Sequence, residues 1–288
     1  MSGGGATLIA QMTDIHIGFD PDAKPEELNR IRFRMVLDRL LAALNPIDAL
    51  VLSGDLTDRG DPESFSKTAA LLSVCPFPIY PMVGNHDTRE ELWAAFPDTP
   101  NNGGFVQYAV EREGLRLVFL DTLELGRHGG AFCEARADWL AAELAAHTDT
   151  PTLIFMHHPP VVAGIGWMDP GPHEAWIERF GAVVEGQNQI LAIHCGHLHR
   201  PIATTFRGIT LGVTPSVAPL VAMDLRPIDP DTPDARELIT TEAPTYALHR
   251  WDGENLVTHY ERVHDWAVLA RYTPQLQNMI EEMLAEKG

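Results

Sequence analysis

Five short apolar runs in this chain each end in a cluster of polar residues able to bind metal ions, and no other feature restricts the fold as tightly. The middle cluster is Val83-Gly84-Asn85-His86-Asp87. The run before it, 78–83, reads as a buried strand, and the polar, acidic segment 88–91 after it can start a helix. In α/β proteins the carboxyl ends of strands are where ligands sit. Glycine at such an end lets the backbone turn sharply, because it alone takes positive φ without a steric penalty. Behind Gly84 come an amide oxygen, an imidazole and a carboxylate in immediate succession.

The other four clusters are Asp14-x-His16, Gly54-Asp55-x-x-Asp58, His157-His158-Pro159 and Gly196-His197-x-His199. Side chains alternate along an extended chain, so Asp14 and His16 are expected to face one way, and His197 and His199 likewise. Such pairs suit one ion or two adjacent ions. Mixed imidazole and carboxylate donors suit Zn, Fe, Mn, Co or Ni rather than Ca or Mg alone. Taken singly, each cluster is ordinary turn chemistry or a satisfied core histidine, since short motifs are loose. Five in this order, each just after an apolar run, are poorly explained by accident.

The intervening segments read as an alternation of strands and helices. Strands are expected over 7–12, 49–52 and 78–83, with helices over 26–44, 62–74 and 90–95. The long helix is expected to bury one face made of Leu28, Ile31, Met35, Leu37, Leu40, Leu41 and Leu44, and Asn45-Pro46 ends it. Segments 105–110 and 115–120 form a hairpin about Glu111-Arg112-Glu113-Gly114. Helices follow over 135–146 and 173–185, with strands over 152–156, 189–193, 202–206, 209–213, 246–250 and 256–260. Segment 218–244, rich in Pro, Asp and Thr, reads as a long loop or partial lid. A last amphipathic helix spans 275–286. Early alternation and late hairpins point to a layered α/β architecture.

Composition narrows the function. The 288 residues carry a formal net charge of -19, which repels polyphosphate backbones and argues against a nucleic-acid polymer as partner. Small anions can still enter where metal ions reverse the sign locally. Three cysteines, Cys75, Cys133 and Cys195, with no C-x-x-C pair, read as reduced, buried thiols of a cytoplasmic protein. No secretory signal and no run long enough to span a membrane is visible.

With these motifs in view, the chain resembles the calcineurin-like metallophosphoesterase superfamily from Asp14 to His199. Within it, the chain is similar to the bacterial class III cyclic nucleotide phosphodiesterases and glycerophosphodiesterases. That closer likeness rests on His157-His158-Pro159-Pro160, Gly166-Trp167-Met168-Asp169, Thr214-Pro215-Ser216 and the stretch from Tyr246 to Trp251. The resemblance implies an α/β/β/α sandwich of two mixed sheets flanked by helices. It implies a catalytic domain over 1–265, a C-terminal helical tail over 266–288, and compatibility with a homo-oligomer.

The resemblance also implies a dinuclear centre of transition-metal ions, Fe, Mn, Zn or Co. One ion would be held by Asp14, His16, Asp55 and His199, and the other by Asp55, Asn85, His157 and His197, with Asp55 bridging. A metal-bridging hydroxide would attack phosphorus of a small phosphodiester. His86, oriented by Asp58, would stabilise the transition state or protonate the leaving group. His158 aligns with a position that is not a ligand. Loop 161–171 is expected to select substrate through Trp167, Met168 and Asp169. His128, His147, His249, His259 and His264 have no partner at ligand spacing and read as surface or packing residues. The competing readings are a phosphomonoesterase or protein phosphatase of the same fold, a nuclease of the same superfamily, and a non-catalytic metal-binding scaffold. There is no Gly-x-Ser-x-Gly elbow and no Gly-x-x-x-x-Gly-Lys phosphate loop.

Overall fold

The computed structural model describes residues 5–19, 27–43, 47–171 and 173–287. In chain order the elements are β1 (Thr7–Met12), α1 (Leu28–Leu41), β2 (Ala49–Ser53), α2 (Pro62–Leu72), β3 (Ile79–Met82) and α3 (Arg89–Ala95). Then come β4 (Tyr108–Arg112), β5 (Leu115–Leu120), α4 (Glu134–Ala146), β6 (Thr152–Met156), α5 (Ala175–Val184) and β7 (Ile190–Cys195). The chain closes with β8 (Ile202–Phe206), β9 (Ile209–Val213), β10 (Leu220–Val221), β11 (Ile239–Thr240), β12 (Thr245–Trp251), β13 (Leu256–Arg262) and α6 (Gln277–Ala285).

Two mixed sheets form the centre. One has the order β13-β12-β1-β2-β3, the other β4-β5-β6-β7-β9-β8. In the first, β1, β2 and β3 run parallel and the antiparallel pair β12 and β13 closes one edge. In the second, β5, β6, β7 and β9 run parallel and antiparallel β4 and β8 close both edges. The two-residue period of a strand explains the layering. Leu115, Leu117 and Phe119 of β5, with Leu153 and Phe155 of β6, join the core shared with β1, β2 and α1. Their neighbours Val118, Leu120, Ile154 and Met156 face the other way, onto α4 and α5. Both faces of the second sheet are thus apolar, which is why its strands read as continuous hydrophobic runs. The expected sandwich of two mixed sheets with flanking helices is the observed fold.

Helix α1 corrects one expectation. Its buried face is Asn29, Arg32, Phe33, Val36, Leu37 and Leu40, whereas Leu28, Ile31, Met35 and Leu41 are exposed. The expected limits at Glu26, Leu44 and Asn45-Pro46 lie outside the described residues. The cause is polar: Arg32 donates from Nε to the carbonyl of Val217 and from Nη2 to those of Ala218 and Glu242. Asn29 donates to the carbonyl of His16 at 3.0 Å. Burial pushes the Arg32 guanidinium down to about 10. A helix that buries Arg32 and Asn29 to hold three loops cannot be oriented by counting leucines.

Segment 218–244 also differs from a structureless loop, because β10 and β11 pair antiparallel within it. Helix α6 has no buried residue. No helix among the described residues is long and apolar enough to cross a membrane.

Candidate metal centre

The five clusters lie just beyond the ends of β1, β2, β3, β6 and β7, and the fold brings them to one place. Parallel pairing does this, since β1, β2 and β3 lie side by side in one sheet and β6 and β7 in the other. Asp14, His16 and His199 offer ligand atoms within 4.8 Å of one another, and so do Asp14, Asp55 and His157. Further groups of this kind are His16 with Asp55 and His86, and His157 with His158 and His197. Asp55 Oδ2 stands between the two sides, 3.2 Å from His157 Nε2 and 3.6 Å from His16 Nε2. Asp14 Oδ1 lies 3.2 Å from His199 Nε2, and His197 Nδ1 lies 3.0 Å from Asn85 Oδ1.

Strand alternation is not what aims the paired residues. β1 stops at Met12 and β7 at Cys195, and Asp14, His16, Asp55, His197 and His199 all have φ between 49° and 69°. This left-handed region is one that Asp and His tolerate better than most residues. Successive tight turns therefore present the side chains. His199 consequently groups with Asp14 and His16, whereas His197 faces Asn85, His157 and His158.

Gly84 also works differently from the expectation, because positive φ is not its role. A Cβ there would overlap the Asp55 carboxylate and come within 2.5 Å of the Asp55 amide nitrogen. The two loops touch backbone to carboxylate, and only hydrogen fits. Gly54 does take φ +95°, and a Cβ on it would lie 2.5 Å from His157 Nδ1.

The donors fit metal ions. His157 Nδ1 donates to the Ser53 carbonyl and His199 Nδ1 to the Pro219 carbonyl, each at 2.8 Å. Each bond fixes the tautomer and leaves the Nε2 lone pair aimed into the cluster, as metal-ligating histidines require. His157 Nε2 is fully buried and makes no well-aligned hydrogen bond, although the Asp55 carboxylate lies 3.2 Å away. Burial alone would raise the Asp14 and Asp55 carboxyls, but the facing rings outweigh it, His199 chiefly for Asp14 and His157 chiefly for Asp55. Both are held below the usual carboxylate range. Burial would lower His157, yet Asp55 pulls it up to about 9. Any cation entering must displace that proton, so loading is coupled to proton release.

His158 is spoken for elsewhere: its Nδ1 accepts from Thr122 Oγ1 at 2.8 Å and its Nε2 donates to the His128 carbonyl at 3.1 Å. Its burial, with His197 beside it, drives its pKa well down. His86 lies at the mouth, its Nδ1 donating to the main-chain carbonyl of Asp58 at 2.8 Å. The Asp58 carboxylate instead approaches His16 Nδ1, at 3.3 Å.

Loop 161–171 splits in three. Trp167 borders the cleft and is about a third exposed. Met168 also borders it but is buried in the core beneath α5. The Asp169 carboxylate accepts from the amides of Ala163 and Gly164, each at 2.8 Å, and so holds its own loop. The surface lining the cleft is mainly apolar, with Phe19, Val221 and Ile239 among its walls.

Three residues gain supporting roles that the sequence did not assign them. Asp87 is buried and accepts from the amides of Leu56, Thr57 and Gly84, locking the second cluster to the third. Burial, with Asp55 nearby, raises it to about 6. Asp121 takes a two-pronged bond from Arg89 and so ties α3 to the end of β5. His128, expected at the surface or in packing, borders the cleft with its ring centroid 4.6 Å from that of His197. Nothing local in a glycine-flanked loop signalled it. The Thr214-Pro215-Ser216 motif gains a role as well, since the Ser216 hydroxyl donates to the Ala218 carbonyl at 2.7 Å and, at 3.2 Å, to the Pro219 carbonyl that backs His199.

Comparison with known proteins places this geometry. A family model described as calcineurin-like phosphoesterase matches residues 7–201. The chain is 31% identical over 262 residues to a probable glycerophosphodiester phosphodiesterase of Arcobacter nitrofigilis, covering 88% of this chain and 92% of that protein. It is 34% identical over 218 residues to a probable cyclic nucleotide phosphodiesterase of Rhodopseudomonas palustris, covering 73% of this chain and 76% of that one. In fold it is similar to a dimetal phosphatase from Danio rerio, with a TM-score of 0.59, 15% identity and coverage of 91% of this chain and 100% of that chain. A purple acid phosphatase from yellow lupin gives a TM-score of 0.65 at 12% identity over 92% of this chain and 53% of that one.

Proposed function

The chain belongs to the calcineurin-like phosphoesterases, and on that premise we propose that it is a dinuclear metal-dependent phosphodiesterase acting on small phosphodiesters. One observation carries the reading: a single carboxylate oxygen, Asp55 Oδ2, lies between two clusters of donors. On one side stand Asp14, His16 and His199, and on the other Asn85, His157 and His197. Those residues would hold the two ions. When bound, such ions supply positive charge against the phosphoryl oxygens and make water a nucleophile at neutral pH.

The chain's own residues do the rest. Asp14 and Asp55, the two carboxylates among the proposed ligands, leave a metal-loaded pocket open to an anion despite the acidic surface. His86 takes its Nδ1 proton to the Asp58 carbonyl, which leaves Nε2 as the atom that meets the departing oxygen. The apolar walls at Phe19, Trp167, Val221 and Ile239 exclude water and receive a carbon-bearing ester group. That suits an organic phosphate ester such as a small diester. Relatives named as acting on glycerophosphodiesters and on cyclic nucleotides support the same class.

The test is a panel of cyclic nucleotides, glycerophosphodiesters and a monoester, run on metal-depleted and metal-restored protein. Diester hydrolysis that disappears and returns with metal is expected. Turnover of the monoester alone would replace the proposal with a phosphatase.

A further inference from the structure

We propose that a second, arginine-lined cleft of this chain binds a phosphate-bearing anion, either free phosphate or a phosphomonoester. The cleft measures about 760 Å³ and lies where the end of β5 meets the starts of α3, α4 and α5. None of its lining residues borders the metal cleft. Its size is within the ~300–1,000 Å³ of ordinary small-molecule sites.

Four arginines line it, Arg89, Arg127, Arg136 and Arg179, in a protein whose net charge is -19. Their carboxylate partners fall short in number. Asp121 alone serves Arg89, at 2.6 Å, and Arg136, at 3.6 Å. Glu124 and Glu174 both pair with Arg127. Among the described residues no carboxylate lies within 4.0 Å of Arg179, whose one bond goes to the Phe132 carbonyl at 2.7 Å. Arg136 is 5% exposed and its Nε has no hydrogen-bond partner, although Nη1 reaches the carbonyls of Asp121 and Leu123. A buried guanidinium N–H left unpaired is costly, and an oxyanion in the cleft would answer it.

Backbone and aromatic walls agree with an anion that carries an organic group. Cys133, which caps α4, lines the cleft, so the free N–H groups of that helix start there. Burial would raise the Cys133 thiol, but the N–H groups at the start of α4 and the Arg136 guanidinium prevail and lower it. Negative charge is thus already favoured at this spot. Phe105, stacked on Arg136 at 4.7 Å, with Phe132 and Trp176, supplies an apolar side for a phosphomonoester's carbon portion. The half-buried Cys133 also corrects the expectation that all three cysteines are buried; of the three only Cys195 is.

Cys133 provides the readout. The metal-loaded protein is treated with iodoacetamide at constant ionic strength, and alkylation of each cysteine is followed by peptide mass spectrometry. Millimolar phosphate or glycerol 3-phosphate should slow Cys133 several-fold and leave the half-buried Cys75 unchanged. Protection at lower glycerol 3-phosphate than phosphate identifies the phosphomonoester, and the reverse order identifies free phosphate. Arg179→Gln should abolish protection and Arg179→Lys retain part of it. No slowing in the wild-type protein, equal slowing of Cys75, or full protection in Arg179→Gln overturns the proposal. The wild-type measurement decides even where a variant fails to fold.

Discussion

The ring of His86 hangs from the main-chain carbonyl of Asp58, 2.8 Å from Nδ1, whereas the Asp58 carboxylate stands 3.8 Å from that nitrogen and 3.3 Å from Nδ1 of His16. The residue that orients His86 therefore does so with an atom that substitution cannot remove. His86→Ala should lower turnover by ~10²–10⁴ with metal content unchanged, the scale of a lost general acid. The loss should shrink for aryl esters, whose leaving groups need little protonation. Asp58→Asn should cost less, and equally for aryl and alkyl esters, because it disturbs His16 rather than His86. An alkyl-selective loss in Asp58→Asn would return the orienting role to its carboxylate.

Asp55 and Asn85 separate the two proposed sites. Asp55→Ala should empty both, since Oδ2 is shared and its charge is lost from each. Asn85→Ala removes a neutral amide that hydrogen-bonds to His197 and His128, so it should weaken one site. Elemental analysis of the purified variants measures this directly. Two full metal equivalents in Asp55→Ala would end the bridging assignment.

Trp167 and Met168 are neighbours with opposite surroundings. Trp167 is 36% exposed at the cleft, and Met168 is 6% exposed in the core under α5. Trp167→Ala should change the ratio of kcat/KM between cyclic nucleotides and glycerol diesters with little change in Tm. Met168→Ala should lower stability by ~2–5 kcal/mol, as a core truncation does, and scale all substrates alike. An unchanged substrate ratio together with a lowered Tm in Trp167→Ala would remove Trp167 from the substrate site.

Beneath the site, the rings of His194 and His249 meet at a tilt of 39° with centroids 3.9 Å apart, both buried. Burial drives His194 down to about 3 and, with His194 beside it, His249 well below its ordinary value. An unfolded imidazole titrates near ~6.5, so the unfolded chain takes up the proton first as pH falls. The stability these rings contribute is full above ~6.5 and is lost from there downward, at up to ~1.4 kcal/mol per pH unit for each ring. Urea unfolding across that pH should show a shallower acid loss in His194→Leu than in the wild type. Parallel slopes would show that these rings are not the acid-labile element.

The fold was largely legible because both faces of the second sheet are apolar, so β5, β6 and β7 announce themselves as runs. All five clusters were visible because each follows such a run. What local pattern could not supply was orientation. Leu28, Ile31 and Met35 look like a buried stripe until Arg32 and Asn29 are seen bonding the carbonyls of three separate loops. The role of His128 was missed for a similar reason, since it sits among Gly126, Gly129 and Gly130 and its partners, Asn85 and His197, lie far away in sequence. The order of ligand types along the chain carried the site. The turn conformations that aim them did not show.

Those turns restrict how this centre can drift. Five of the eight non-glycine residues with positive φ among the described residues are Asp14, His16, Asp55, His197 and His199. A left-handed backbone costs most residues ~1–2 kcal/mol, and Asp, Asn and His bear it best. The same three types also donate oxygen or nitrogen to a cation. Main chain and chemistry thus select one short alphabet at each position. A descendant that abandons catalysis is freed from only one of the two constraints, so the appearance of the motif should outlive the activity.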